Sequence, residues 1–320
     1  MLLRPYQEAA VSDANKALDE RGNTIVVAPT GAGKTIMLSA LIGKRHKSGR
    51  KVLVIQHRDE LVAQNSSKFL RVNPYLTTSL VNGTVKSWHG DAVFSMIQTI
   101  SRDRNLADRI VFDMIVIDES HHAAADTYIK VINAVKEDNP LVEVVGFTAT
   151  PNRGDGKGLR TVFDNCSHQI EITTLIREGY LTPPKSFVVD LGISDELNTV
   201  SRKGNDFDME EVEEIMNRRV INDAVVENWM EKAGDRKTVV FCSTVKHAED
   251  LLEVFIENGV NANIVTGETP KDKRKERLQG LATGDIRVIV NVAVLTEGFD
   301  APQVSCIVLT RPCSQKGTMV

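Results

Sequence analysis

The stretch TIVVAPTGAGKTIML, residues 24–38, decides the fold of this chain. It places a Gly-rich turn between a β-branched run and an amphipathic run, which predicts a buried strand, a tight turn and a helix. Gly31 and Gly33 let backbone N–H groups close around a phosphate, and the helix N-terminus adds its positive end. Lys34 then reaches the β- and γ-phosphates, and the Thr35 hydroxyl supplies a ligand for Mg²⁺. The residues predicted to bind a nucleotide here are Thr30, Gly31, Ala32, Gly33, Lys34 and Thr35.

One position near this loop departs from the strict phosphate-loop pattern. The pattern has glycine where this chain has Ala28. The alternative interpretation is a Gly-rich turn that contains Gly-Lys-Thr by chance. The position of the loop between a strand and a helix favours the phosphate site.

The alternation of short β-branched runs and amphipathic runs continues along the whole chain. The strand candidates are NTIVVAP, KVLVIQ, FDMIVIDE, VEVVGFTA, KTVVFC, NANIVTG, IRVIVNVAVL and VSCIVLT. Such runs are typical of parallel sheets that helices cover on both faces. The alternation loosens after Pro183 and Pro184. We therefore predict an α/β fold with a first domain over residues 1–185, a linker region over 186–215 and a second domain over 216–320.

Composition narrows the class of protein. A chain of 320 residues with 42% hydrophobic and 26% charged residues is typical of a globular protein of two domains. It contains no apolar run near the ~20 residues of a membrane span, and its first residues do not resemble a secretion signal. The four scattered cysteines argue against a disulfide framework or a zinc site and favour a reducing cytoplasm. The net charge of −4 excludes a uniformly basic surface but not a local basic groove.

A second motif, MIVIDESHH at residues 114–122, complements the phosphate loop. A hydrophobic strand ends here in two carboxylates, at the sheet edge where open α/β sheets bind ligands. Asp118 can hold Mg²⁺ through water, and Glu119 can orient and deprotonate an attacking water molecule. An exposed acidic turn is the alternative, and the upstream phosphate loop argues against it.

The ordered set APTGAGKT, DESH and TATP resembles the motifs of superfamily 2 helicases and translocases. Within them it is similar to the DExH branch that includes RadD-like and type III restriction-subunit-like proteins. The resemblance implies two RecA-like domains, each a mostly parallel sheet with helices on both faces. It also implies ATP and Mg²⁺ as cofactors and a sequence-independent nucleic-acid partner, DNA rather than RNA.

The resemblance also implies roles for individual residues of the first domain. By similarity, Gln7 in LRPYQ reads the adenine edge and Arg4 supports it. The implied nucleic-acid contacts are His57, Arg58, Gln98 and Thr99. The residues implied to couple the carboxylates to the nucleic-acid side are Thr148 and Thr150. His121 joins this network and is implied, with Lys34, Asp118 and Glu119, to be catalytic. We interpret His122 as structural.

The second domain carries the remaining motifs of the family. By similarity, its nucleic-acid contacts are Ser243, Thr244, Thr266, Gly267 and Thr296. Its implied contacts with the nucleotide are Gly298 and Asp300 in TEGFDAP. In family members the strand that matches SCIVLTRP is followed by a helix with arginine fingers, and the sequence given ends at Val320 before it. We therefore expect an incomplete second domain with an apolar face exposed around Val308 and Met319.

Three functions remain open from the sequence. The first is an ATP-dependent DNA helicase or translocase, and the second is an RNA helicase. The third is a module that binds nucleic acid with ATP but hydrolyses it weakly unless a partner chain supplies the arginines. A phosphate-loop kinase would leave TATP and TEGFDAP unexplained. The expected location is the cytoplasm of a bacterium, at its nucleoid, with a bacterial or phage gene as the origin and no membrane attachment.

Overall fold

The computed structural model describes residues 2–57, 59–151, 158–204, 206–295 and 301–312, with the side chains of 59–61 left aside. The chain divides into two compact units, Met1–Pro184 and Lys185–Val320, and each is described by itself.

The first unit is built on one parallel sheet. Among its described residues, seven strands pair in the order β3-β4-β2-β5-β6-β1-β7. The strands are β1 Asn23–Val27, β2 Val52–Gln56, β3 Thr78–Val81, β4 Ala92–Met96, β5 Met114–Asp118, β6 Glu143–Thr148 and β7 Cys166–Gln169. The central strands β2 and β5 are buried along their whole length, which explains their continuous Val and Ile.

Helices cover both faces of this sheet. They are α1 Pro5–Arg21, α2 Lys34–Arg45, α3 Asp59–Val72, α4 Ile97–Ile100, α5 Asp103–Ala107, α6 Asp126–Asp138 and α7 Ile172–Arg177. Val54 of β2 packs with α1, α2 and α3, whereas its neighbours Leu53 and Ile55 pack with α4 and α6 on the other face. Successive side chains of the strand therefore pack into cores on opposite faces of the sheet, as expected from the period of two residues in a strand.

The strand predictions for this unit are correct for β1, β2, β5 and β6, but β3, β4 and β7 were not predicted as strands. β3 and β7 lie at the two edges of the sheet, where a strand has a neighbour on one side only. β7 reads Cys-Ser-His-Gln and is half-buried or exposed along its length, so a hydrophobic run could not reveal it. β4 is buried in the sheet, and it ends just before Gln98 and Thr99, which only the family resemblance selected.

The second unit has a smaller parallel sheet in the order β11-β12-β10-β13. Its strands are β10 Thr238–Phe241, β11 Ala262–Val265, β12 Val288–Asn291 and β13 Cys306–Leu309. Its helices are α8 Ser194–Asn198, α9 Met209–Met216, α10 Arg219–Lys232, α11 Val245–Glu257 and α12 Lys271–Thr283. Two further strands, β8 Arg202–Lys203 and β9 Asp206–Phe207, form a short antiparallel pair. The residues 186–215, predicted as a linker region, lie within this unit and carry α8, β8, β9 and most of α9.

Apolar side chains of β13 are partly exposed around Val308, as expected, and the most exposed of them lie on the other face of the sheet. Val308 packs against the core of the second unit. Its neighbours Ile307 and Leu309 are 63% and 48% exposed. The parallel register puts these two opposite Val239 and Phe241 of β10, on the opposite face of the sheet to Val308. Met319 lies outside the described residues.

No helix in the described part of the chain combines the length and the apolar character that a membrane span needs.

Candidate nucleotide and nucleic-acid sites

The predicted phosphate loop joins the end of β1 to the start of α2. Gly31 and Gly33 have φ angles of 82° and 81°, in the left-handed region that favours glycine. A Cβ atom on Gly33 would lie 2.6 Å from Nε2 of Gln7, so a side chain at this position would displace the Gln7 amide. Ala28, where the strict pattern has glycine, is fully buried, and its N–H donates to the Thr148 carbonyl at 2.8 Å. Its φ is not positive, so alanine fits there without strain.

Residues at the start of α1 support the same loop. The side-chain amide of Gln7 donates to the Ala32 carbonyl at 3.0 Å, and so does the Tyr6 hydroxyl at 3.0 Å. The Arg4 guanidinium lies over the Tyr180 ring, 5.2 Å from its centroid. The predicted adenine-reading residues Arg4 and Gln7 therefore lie beside the loop, and adenine recognition by them stays a prediction.

The predicted catalytic carboxylates lie next to this loop at the end of β5. Nζ of Lys34 is 3.5 Å from Oε1 of Glu119, and both side chains are mostly buried. Glu119 has a φ of 47°, an uncommon conformation for a residue other than glycine. Backbone strain of this kind is found at functional sites, where the surrounding structure holds it. The fold thus directs Glu119 towards the phosphate loop.

Asp118 is held by side chains that the sequence analysis did not select. Its Oδ2 accepts from the Asn65 amide at 2.9 Å and lies 3.4 Å from Nε2 of Gln56. The Thr35 hydroxyl donates to Oδ1 of the same Asn65 at 3.3 Å. The two predicted Mg²⁺ ligands, Thr35 and Asp118, therefore share one amide. A hydroxyl and a carboxylate are oxygen donors of the kind that Mg²⁺ prefers, so the residues fit the ion.

The two carboxyl groups differ in pKa because their surroundings differ. Burial and the adjacent charge of Glu119 raise the pKa of the Asp118 carboxyl, and Lys34 opposes this only in part. Burial also acts to raise the pKa of Glu119, but the hydrogen bond from His121 and the charge of Lys34 outweigh it and hold that pKa below its ordinary value. Glu119 is therefore ionised at neutral pH, as a group that accepts a proton from water must be.

The predicted coupling residues lie beside Glu119. Nδ1 of His121 is 3.2 Å from Oγ1 of Thr148 and 3.5 Å from Oε2 of Glu119. The Thr148 hydroxyl also accepts from the Thr150 backbone N–H at 3.2 Å. Polar contacts thus lead from Glu119 through His121 to the end of β6.

His122, interpreted from the sequence as structural, has a more specific place. Its ring stacks on that of His57 with centroids 4.5 Å apart and contacts the His121 ring at 4.0 Å. Three imidazoles therefore connect the end of β2 with the DESH motif. The only signal in the sequence was the second histidine of DESHH, and the ring that it stacks on, that of His57, lies 65 residues earlier in the chain.

The other predicted nucleic-acid contacts of the first unit differ in exposure. Gln98 is exposed, whereas Thr99 is buried and its carbonyl accepts from the Asn105 amide at 2.6 Å. Arg58 lies outside the described residues. Gln98 and His57 are therefore the more accessible of these side chains.

In the second unit, the hydroxyls of Ser243 and Thr244 form hydrogen bonds with other side chains of the same unit. The Ser243 hydroxyl lies 3.0 Å from Nδ1 of His247, and Thr244 caps α11 and donates to Glu213. Burial lowers the pKa of His247 to about 4, so this buried imidazole is neutral. A nucleic-acid contact by either hydroxyl would require it to give up these bonds.

The remaining predicted residues of the second unit follow β11 and β12. Thr266 is buried, and its backbone N–H donates to the Thr269 hydroxyl at 2.9 Å, whereas Gly267 is exposed. Thr296, Gly298 and Asp300 lie outside the described residues.

A parallel sheet with a phosphate loop and an Asp-Glu pair at its carboxyl edge defines a RecA-like nucleotide-binding domain. The family described as "Type III restriction enzyme, res subunit" matches residues 1–153, and "Helicase conserved C-terminal domain" matches residues 219–320. The first match is to the family of type III restriction subunits and the second to the C-terminal domain of helicases, so both parts of the chain are similar to domains of superfamily 2 helicases and translocases.

Individual proteins are similar along almost the whole chain. The putative ATP-dependent helicase IRC3 of Saccharomyces cerevisiae is 27% identical over 334 residues, which cover 100% of this chain and 48% of that protein. The type ISP restriction-modification enzyme LlaBIII bound to DNA has a TM-score of 0.69 at 17% identity, covering 98% of this chain and 26% of that one. Dbp5 of S. cerevisiae bound to RNA and ADP BeF3 has a TM-score of 0.64 at 15% identity, covering 96% of this chain and 74% of that one. The two structures show the fold, and the chain spans about half the length of the curated relatives it matches.

Proposed function

We propose that this chain hydrolyses ATP with Mg²⁺ and uses the reaction to move along a nucleic-acid strand, with DNA as the strand. The supporting observation is the pair of Lys34 and Glu119, 3.5 Å apart beside a loop shaped for phosphate. The preference for DNA is supported by the match to restriction subunits. We divide the work between a nucleotide-binding domain over residues 1–185 and a second domain over 216–320, with 186–215 connecting them.

In this mechanism the loop Thr30–Thr35 binds the phosphates through backbone N–H groups, and Gln7 and Tyr6 keep the loop in shape through Ala32. Thr35 and Asp118 would hold Mg²⁺. When bound, the ion neutralises the charge that develops on the β- and γ-phosphate oxygens. Glu119 orients the attacking water molecule and accepts its proton.

Lys34 links nucleotide binding to the state of Glu119. The ammonium group of Lys34 pairs with the Glu119 carboxylate at 3.5 Å. A triphosphate carries more negative charge than a carboxylate, so it competes for Lys34 and releases Glu119 to act on water. The base thus becomes available only when the substrate is bound.

We propose that nucleic acid is held by phosphate contacts from both domains, which makes the grip independent of sequence. The exposed Gln98 and Gly267 and the loop at His57 support this assignment. Arg58, Thr99, Ser243, Thr244, Thr266 and Thr296 remain predicted contacts, and Gly298 and Asp300 remain predicted nucleotide contacts. We propose the cytoplasm, at the nucleoid, as the place of action; the scattered cysteines support only its reducing character.

The proposal is tested by ATP turnover in the presence of single-stranded DNA and single-stranded RNA of equal length and sequence. We expect DNA to raise turnover well above the basal rate and RNA to raise it less. We also expect DNA affinity to fall steeply as salt rises, because phosphate contacts release counterions.

Each arm of this experiment can fail separately. Equal or greater stimulation by RNA would reject DNA as the preferred strand. Turnover that neither strand changes would leave a nucleotide-dependent binding module. An affinity for DNA that does not change with salt would contradict the phosphate grip.

We further propose that the rings of His57, His122 and His121 couple the nucleic-acid side to Glu119. A stacked aromatic pair contributes about 0.5–1.5 kcal/mol, which corresponds to a ~2- to 10-fold effect. His122→Ala is therefore expected to lower DNA-stimulated turnover by ~2- to 10-fold and to leave basal turnover nearly unchanged.

Turnover with and without DNA measures this effect. His122→Phe retains a stacking ring and should keep most of the stimulation, and His89→Ala, at an exposed histidine, serves as the control. If His122→Ala lowers basal and stimulated turnover equally, the ring supports the fold and does not couple the sites.

A further inference from the structure

Asn65 occupies an unusual position for a side chain in the middle of a helix. It lies on α3, is 2% exposed, and belongs to no motif of the family resemblance. Its Nδ2 donates to Oδ2 of Asp118 at 2.9 Å, and its Oδ1 accepts from the Thr35 hydroxyl at 3.3 Å. One amide thus contacts both residues that would hold Mg²⁺.

The chemistry of these two bonds favours metal binding. Because Asn65 accepts a hydrogen bond from the Thr35 hydroxyl, the lone pairs of that hydroxyl oxygen remain free for a cation. By donating to Oδ2, it fixes the plane of the Asp118 carboxylate, and the Glu119 backbone N–H donates to Oδ1 at 3.0 Å. A neutral amide can donate and accept at once, which neither a carboxylate nor an aliphatic side chain can do.

We propose that Asn65 is the positioning residue of the magnesium site: it orients the Thr35 hydroxyl and the Asp118 carboxylate before the ion arrives. Residues that hydrogen-bond to metal ligands in this way set affinity without touching the metal. This inference rests on the proposed function, because it assumes that Mg²⁺ accompanies the nucleotide. It adds Asn65 to the residues of the nucleotide site. Asn65 lies on α3, the helix that follows the predicted nucleic-acid contact His57 in the chain.

The test measures binding rather than turnover. A fluorescent, non-hydrolysable ATP analogue is titrated onto the full chain in EDTA and at increasing Mg²⁺. Asn65→Leu has a similar shape but neither hydrogen bond, so it should raise the Mg²⁺ concentration for half-maximal enhancement of binding by about 10- to 100-fold. Binding in EDTA should stay unchanged, because the phosphate loop is intact.

Ser66→Ala is the matched control. It lies next to Asn65 on α3 and loses a comparable bond, from its hydroxyl to the Thr78 hydroxyl at 3.0 Å, away from the metal ligands. We expect it to keep the wild-type Mg²⁺ dependence. If Asn65→Leu does not fold, Asn65→Ala carries the same expectation, and a melting curve identifies the folded variant.

Two results would overturn the inference while the proposed function stands. One is an unchanged Mg²⁺ dependence in Asn65→Leu, and the other is an equal loss of binding in EDTA and in Mg²⁺, which would make Asn65 a support of the fold. If the wild-type chain binds no nucleotide with Mg²⁺, the proposed function fails and the inference with it.

Discussion

Lys34→Ala is expected to lower ATP turnover by at least about 10²- to 10³-fold, the effect of removing one preorganised group that stabilises charge in a transition state. The Lys34 side chain is only 11% exposed, so its ammonium group acts where water screens it little. Without it, the phosphates lose their nearest side-chain cation at the loop. Steady-state turnover with DNA and binding of a fluorescent ATP analogue measure the two parts of the effect.

Lys44→Ala is the control for this variant. Lys44 lies in the last turn of the same helix, α2, and is exposed. It should leave turnover unchanged, since its charge is far from the phosphate loop along the helix. Wild-type turnover in Lys34→Ala would mean that the nucleotide binds elsewhere.

Glu119→Gln is expected to separate binding from chemistry. Glutamine has the same shape but cannot accept a proton from water, so turnover should fall by about 10²- to 10⁴-fold, the usual contribution of a general base. ATP binding should persist, because the phosphate loop keeps Lys34 and loses only its competitor. The variant should therefore stay bound to DNA when ATP is added, which a filter-binding or anisotropy measurement detects.

Glu137→Gln is the matched control, at an exposed glutamate on α6. It removes one carboxylate without touching the nucleotide and should turn over ATP at the wild-type rate. If Glu119→Gln retains turnover within about twofold of the wild-type rate, another group accepts the proton. Asp118 would then be the next candidate.

The parts of the site that follow from the sequence are those that lie in one continuous segment. The phosphate loop and the Asp118-Glu119 pair each follow a buried strand, and parallel strands present their carboxyl ends at one edge of a sheet. That rule was enough to expect the loop and the carboxylates close together, and Lys34 and Glu119 lie 3.5 Å apart. The central strands of the sheet could also be predicted from the sequence, because a strand that is buried on both faces appears there as a continuous apolar run.

The parts that could not be predicted depend on partners far apart in the chain. Asn65 is an ordinary polar residue of a helix until α3 packs against α2 and the sheet and brings it against Thr35 and Asp118. His122 likewise acquires its place only when β2 and β5 pair and bring His57 to it.

The sequence by itself thus determined the class of fold, and it predicted the phosphate loop and the role of the acidic pair. These depend on local periodicity and on residue types at short spacing. Only the tertiary structure decided which amide contacts the two predicted magnesium ligands and which ring connects the DESH motif to the end of β2. Contacts between side chains of different elements require the packing of those elements, and no pattern within one segment encodes it.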